Sequence, residues 1–89
     1  MVTFYGAEIC GDCRDALALF QKKGFTGYEY VDITASTDNL RAFLKLRDTR
    51  KELFEVREEG RIGIPCFVRE DGSLTLDPAQ VLQKWGNRC

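Results

Sequence analysis

Residues 2–13 read Val2-Thr3-Phe4-Tyr5-Gly6-Ala7-Glu8-Ile9-Cys10-Gly11-Asp12-Cys13, and this stretch decides the fold. Val2–Tyr5 is β-branched and aromatic, the composition of a strand, and Gly6 ends it. From Cys13 the apolar positions recur at Ala16, Leu17 and Phe20, the i, i+3, i+4, i+7 stripe of a helix. Lys22 and Lys23 suit the negative end of that helix, and Gly24 is a left-handed stop. Tyr28–Ile33 is again aromatic and β-branched, a second strand. Two strands joined through a helix lie parallel, with a right-handed crossover.

The pattern continues outward. Ser36-Thr37-Asp38 offers N-caps for a helix carrying Leu40, Phe43 and Leu44, which Asp48-Thr49 interrupts. Helical character resumes through Leu53, Phe54 and Val56 and stops at Gly60. The charged run Arg47–Glu52 is expected to be a solvated face with i,i+4 pairs. Pro65–Arg69 reads as a third strand, Asp71-Gly72 as a tight hairpin turn and Leu74–Leu76 as a fourth strand. Asp77-Pro78-Ala79-Gln80 starts a last helix with Asp as N-cap, Pro at the first position and Gln at the third. Val81, Leu82 and Trp85 form its buried stripe, and Gly86 closes it. The expected order is β-α-β-α-β-β-α, an α/β fold with a four-stranded mixed sheet and helices on both faces. It forms one domain over residues 1–89.

Composition narrows the function. The chain has 89 residues, 44% apolar and 30% charged, with a formal net charge of −1. That is one domain with a real core, not a disordered segment. Its near-zero charge gives no field to hold nucleic acid or an anionic membrane, so neither is expected as a partner. No apolar run approaches the roughly 18 residues of a membrane helix, and no signal-peptide pattern is visible. Histidine is absent, which removes His-based acid–base catalysis, Cys–His dyads and His-ligated metal. The four cysteines are Cys10, Cys13, Cys66 and Cys89, one tight pair and two single residues. Without a secretory signal, that pattern fits a reducing, cytoplasmic setting with one working pair.

Cys10-Gly11-Asp12-Cys13 lies where the first strand feeds the first helix, a specific signal for thiol–disulfide chemistry. A cysteine at a helix N-terminus faces free N–H groups and the positive dipole end, which stabilise a thiolate. A second cysteine three residues on lies one turn along and heads the apolar stripe. Cys10 is therefore the expected exposed nucleophile and Cys13 the buried resolving thiol. Asp12 and Glu8 oppose the anion and Arg14 partly offsets them, which places the couple on the reducing side. A zinc ribbon also uses C-x-x-C but needs a second pair, so no metal is expected here. Cys66 reads as a small buried hydrophobe and Cys89 as an exposed, incidental terminal residue.

Together these elements resemble the glutaredoxin family of the thioredoxin-like superfamily. The resemblance rests on Tyr5, on Cys10–Cys13, on Gly63-Ile64-Pro65 before the third strand, on the hairpin, and on the helix starting at Asp77. It implies a thioredoxin-like fold with Pro65 cis beside the cysteine pair. It also implies that the Ile64 backbone pairs with substrate as an added strand. The substrate-binding set it suggests is Tyr5, Gly11, Asp12, Ile64, Pro65 and Asp77. The implied activity is reduction of protein or low-molecular-weight disulfides by a monomer with no bound cofactor. A reductase system would supply electrons, with glutathione as reductant or substrate. Some positions depart from the family. Ala7 and Glu8 stand where a basic residue binds the glutathione glycine carboxylate, and Thr75-Leu76 stand where a Gly-Gly pair is usual. A rival reading is a [2Fe–2S] module held through Cys10 and glutathione. It is suggested by Gly11 in place of proline, and disfavoured by Cys13.

Overall fold

The structure, a computed structural model, describes residues 1–86. The first strand, β1, spans Val2–Gly6 and leads to α1, Gly11–Lys23. β2 covers Tyr28–Asp32 and α2 covers Thr37–Thr49. A 3-10 turn, Lys51–Leu53, and a short helix α3, Phe54–Glu58, precede β3, Cys66–Val68. β4, Leu74–Thr75, and α4, Pro78–Gly86, complete the order. The four strands form one mixed sheet in the order β2-β1-β3-β4. β1 runs parallel to β2 and antiparallel to β3, and β3 runs antiparallel to β4.

Alternation along the strands divides the core into two layers. Phe4, Tyr28, Tyr30 and Phe67 meet Ala16, Leu17 and Phe20 of α1 and Val81 and Leu82 of α4. Tyr5, Cys66, Val68 and Leu74 face the other way, against Phe43, Leu53 and Val56. Helices thus cover both faces. The first layer is a ring cluster, with Phe4 and Phe67 4.6 Å apart between centroids and Phe4 and Phe20 5.8 Å apart.

Local signals explain where the helices stop. Gly24 adopts φ +70°, its N–H donates to the Gln21 carbonyl, and the Phe25 N–H donates to the Phe20 carbonyl at 2.9 Å. Phe25 then packs on Phe20, centroids 5.1 Å apart, the apolar contact that accompanies this cap. Gly60, at φ +71°, repeats the device for α3, with the Arg61 N–H donating to the Val56 carbonyl at 3.0 Å. Ser36 caps α2 by accepting from the Asn39 N–H at 3.1 Å.

Several boundaries differ from those read in the sequence. β2 ends at Asp32, whose carboxylate accepts from the Thr34 N–H and hydroxyl in a turn, so Ile33 follows the strand. β3 starts after Pro65, which has no N–H to give, and β4 stops before Leu76. The hairpin is a three-residue loop. The Gly72 N–H donates to the Arg69 carbonyl, with Gly72 at φ +86° and no other residue type at positive φ among the described residues. A two-residue turn with Asp71 at positive φ is thereby excluded. At the start of α4, Asp77 caps the Ala79 N–H at 3.0 Å. Gln80 does not reach back to the Asp77 N–H. That N–H donates to Thr75 Oγ1, and the Thr75 hydroxyl donates to Gln80 Oε1. The side chain of Trp85 and all of Cys89 lie outside the described residues.

The charged run Arg47–Glu52 is also not a plain solvated face. The helix breaks at Arg50, which removes the i,i+4 geometry, and Arg50 instead pairs with Glu52 at 2.6 Å. Arg57 Nη1 donates to the carbonyls of both Arg47 and Arg50, and Arg47 Nη2 donates to the Arg61 carbonyl at 2.6 Å. These bonds satisfy the open end of α2 and anchor the loop that leads to Ile64. Arg57→Ala should cost about 1.5–3 kcal/mol, because charge-assisted hydrogen bonds are lost at a half-buried site. That corresponds to a Tm lower by about 6–24 °C for a domain of this size. Arg57→Lys should restore little, since one ammonium lacks the planar fork. A melt indistinguishable from the parent would show that water replaces both bonds.

Candidate functional site

The site forms where β1 hands the chain to α1. Cys10 is the N-cap of α1, with extended backbone (φ −92°, ψ 120°), and its side chain makes no cap bond. The sulfur is thus free of the helix it heads. It is half-buried, and its thiol points at the Ile64 carbonyl, with Sγ 3.9 Å from the oxygen. Ile64 precedes Pro65 through a cis peptide bond, and Pro65 is buried. Gly63 delivers the chain to Ile64 at φ +99°, where a Cβ would lie 3.1 Å from Val56 Cγ1.

Cys13 lies one turn along α1 and is fully buried. Burial pushes its thiol up to about 12, with the Cys10 and Asp12 charges adding to the rise, while a bond from the Ala7 N–H opposes it. At neutral pH Cys13 is therefore protonated and shielded, behind an accessible Cys10.

The other residues singled out by sequence fall into two groups. Gly11 and Asp12 are exposed in the first turn of α1, beside the cysteines. A Cβ on Gly11 would meet only Arg14 Nη2, at 3.8 Å. Arg14 is committed elsewhere, since its Nη1 donates to the Glu8 carbonyl at 2.6 Å. Tyr5 and Asp77 have other contacts. The Tyr5 ring packs against Phe43 on the α2 side of the sheet, centroids 5.9 Å apart, and burial pushes its hydroxyl up, with Cys66 and Glu29 adding. Asp77 is exposed and caps α4. Cys66 is fully buried under Tyr5, its β1 partner, and burial pushes its thiol up to about 12.

Sequence reading missed the support behind Cys13. Gly6 reads as a strand end, yet a Cβ there would lie 2.9 Å from Phe4 Cε1, 3.1 Å from Cys13 Sγ and 3.2 Å from Tyr30 Cε2. The sulfur occupies space that a side chain would take. Tyr30 Oη is buried with no hydrogen-bond partner among the described residues. Such a group costs about 1–3 kcal/mol. Burial pushes this phenol up to about 12. The only signal for either residue is the register that puts Tyr30 beside Phe4 and Asp32 beside Gly6, and a single strand does not reveal that register.

Among the described residues no three Cys, Asp or Glu side chains converge as a metal site. Nor is any described helix long and apolar enough to cross a membrane. No known protein-family profile matches the chain. No solved structure matches it. A protein of Haemophilus influenzae described as "Uncharacterized protein" is 34% identical over 76 residues, 85% of this chain and 86% of that protein. With so much of both sequences aligned, the chain belongs to the same family as that Haemophilus influenzae protein.

Proposed function

We propose that the protein is a glutaredoxin-like thiol–disulfide oxidoreductase with a thioredoxin-like fold, working through the Cys10/Cys13 dithiol. One observation carries the reading. An accessible cysteine heads α1 with Sγ 3.9 Å from the Ile64 carbonyl, and a second, fully buried cysteine lies one turn behind it. The sheet order, with β1 central and helices on both faces, supports the same fold.

The chemistry follows from the placement. The Cys10 thiolate attacks a substrate disulfide. A bond forms between Cys10 Sγ and one substrate sulfur, and the other leaves as thiolate and takes up a proton. Cys13 then gives up its proton and attacks Cys10 Sγ. The intramolecular disulfide forms, and the second substrate sulfur departs as thiol. Two electrons have moved from the protein to the substrate. In this reading the backbone of Ile64 pairs with an extended substrate. In this reading the protein is a cytoplasmic monomer that holds no cofactor and acts on protein disulfides or glutathione-type thiols. A reductase system re-reduces it, and neither nucleic acid nor membrane is a partner.

The test is turnover of a peptide disulfide, with either glutathione plus its reductase or thioredoxin reductase regenerating the dithiol. Sustained turnover with one donor supports the reading and identifies the donor. No turnover with either overturns it. The cluster-binding alternative draws on the open space beside Gly11. Brown protein with visible Fe–S absorption would favour it, and colourless protein with a fast-reacting Cys10 sets it aside.

Glutathione itself should be a poor ligand. Ala7 is buried and Glu8 places an exposed carboxylate beside the site, so neither supplies a cation for the glycine carboxylate. The Thr75 hydroxyl is engaged with Gln80, and the Asp77 carboxylate with α4. A lost charge-assisted bond is worth about 1.5–3 kcal/mol, or about tenfold to a hundredfold in affinity. Activity on glutathionylated peptides should be correspondingly low. Efficient deglutathionylation with a submillimolar KM would show that another basic residue has taken over.

A further inference from the structure

The Tyr30 hydroxyl is buried, and the reaction above has no task for it. Tyr30 sits in the middle of β2, opposite Phe4, on the face that packs α1 and α4. Its ring meets Phe4 edge-on, centroids 5.0 Å apart at 82°. Its Cε2 and Cys13 Sγ both pack into the space above Gly6, 3.2 and 3.1 Å from where a Cβ would stand. The ring therefore leans toward the end of the sheet from which α1 departs. Its Oη is buried without a hydrogen-bond partner among the described residues. Burial first, then Cys13, Asp32, Glu8 and Cys10 in that order, hold the phenol protonated. These groups come from α1, from β2 and from the loop before α1, and each is acidic. A phenol in that setting is a donor, not a base.

Cys13 is the group that needs a donor. Resolution requires an anion on a sulfur that is fully buried, with Asp12 and Cys10 acting against it. The Ala7 N–H bears on that sulfur. We propose that the Tyr30 hydroxyl is a second donor, unpaired in the dithiol and hydrogen-bonded to Cys13 Sγ once Cys13 has lost its proton. The proposal rests on the dithiol reading. It adds no redox step: Tyr30 keeps its proton throughout, and the electron pair moves between sulfurs as before. It also gives a reason for a buried hydroxyl that the resting structure leaves unsatisfied, since its partner is the transient anion.

The test uses Tyr30→Phe, which keeps the ring and its contacts at Gly6 and removes only the hydroxyl. Because that hydroxyl has no partner, the melting temperature should match or exceed the parent's. The probe is an aromatic disulfide, dithiobis(nitrobenzoate), mixed with reduced protein in a Cys89→Ser background so that the terminal thiol does not contribute. Cys10 attack releases the first aromatic thiolate. Cys13 attack on the resulting mixed disulfide releases the second, and both cysteine protons go to solvent. The first release should agree within about twofold between parent and variant. The second should slow about tenfold in Tyr30→Phe, with its pH profile displaced upward by about one unit, the equivalent of tenfold in thiolate stability. An unchanged second release overturns the proposal. So does equal slowing of both releases, or a slower second release with an unmoved pH profile, since either is a packing effect. A parent that releases a single equivalent overturns the proposal and the dithiol reading together. A parent that releases two equivalents but reduces no peptide disulfide with either reductase overturns the proposed function alone and leaves the Tyr30 result standing.

Discussion

Cys10→Ser is expected to abolish disulfide reduction, whereas Cys13→Ser should stop it halfway. The two outcomes differ because the structure gives the two sulfurs different surroundings. Cys10 is accessible, makes no cap bond and sits at the positive end of α1, so it is the sulfur that meets substrate. A serine hydroxyl there is not appreciably ionised near neutrality, and turnover should fall to background. Cys13 is fully buried with its thiol pushed up to about 12, so it has no route to substrate. It can reach only the mixed disulfide already formed on its neighbour. Cys13→Ser should therefore accumulate a covalent Cys10–substrate adduct, visible as a mass increase that dithiothreitol removes. Iodoacetamide at neutral pH should label Cys10 in the reduced protein well before Cys13 or Cys66, because both of the latter are fully buried with raised pKa values. Earlier labelling of Cys13 would reverse the two roles and show that α1 presents its other face.

How much of this was legible beforehand depends on how local each signal is. The α1 stripe, the Gly24 and Gly60 stops and the Asp77 cap each lie within about two turns of chain, and each stands where the pattern placed it. The boundaries that moved were set by individual backbone and side-chain hydrogen-bonding needs that periodicity does not register. Pro65 has no N–H for the ladder, Asp32 is drawn into a turn with Thr34, and Arg57 reaches back to the end of α2. The site divides in the same way. The spacing of Cys10 and Cys13 implies their order of burial, because three residues is one helical turn. The approach of Ile64 to Cys10 spans 54 residues of sequence and entered only through a family resemblance. Gly6 and Tyr30 were invisible as functional positions, since their meaning comes from register between β1 and β2 and from a sulfur on α1. Residues defined by what packs across from them leave no periodic trace in their own strand.

Gly63→Ala is expected to cost more stability than any other glycine substitution in the loops, and Gly60→Ala is its internal control. Both glycines have positive φ, +99° at Gly63 and +71° at Gly60. Gly60 meets nothing within 4 Å of an added Cβ, so alanine there faces only the backbone penalty. For a left-handed residue that is about 1–2 kcal/mol. At Gly63 the same methyl would stand 3.1 Å from Val56 Cγ1, 3.5 Å from Phe43 Cζ and 3.8 Å from Leu53 Cδ2. All three neighbours are buried core side chains with no solvent to move into. Overpacking of that kind adds about 1–3 kcal/mol to a backbone strain of about 1–3 kcal/mol. The sum, about 2–6 kcal/mol, is a large share of the 5–15 kcal/mol that holds a typical domain together. Thermal unfolding should show Gly63→Ala lowered by at least about 8 °C, and by more than Gly60→Ala. A second consequence bears on the site. Ile64, whose carbonyl faces Cys10 Sγ, is the next residue, so any shift that relieves the methyl moves that carbonyl. Disulfide reduction, measured well below the variant's own melting temperature, should fall in Gly63→Ala and stay at the parent rate in Gly60→Ala. Equal losses of stability in the two variants would show that the core beneath Gly63 yields to a methyl group. Full activity in a destabilised Gly63→Ala would show that the position of Ile64 is set by something other than this packing.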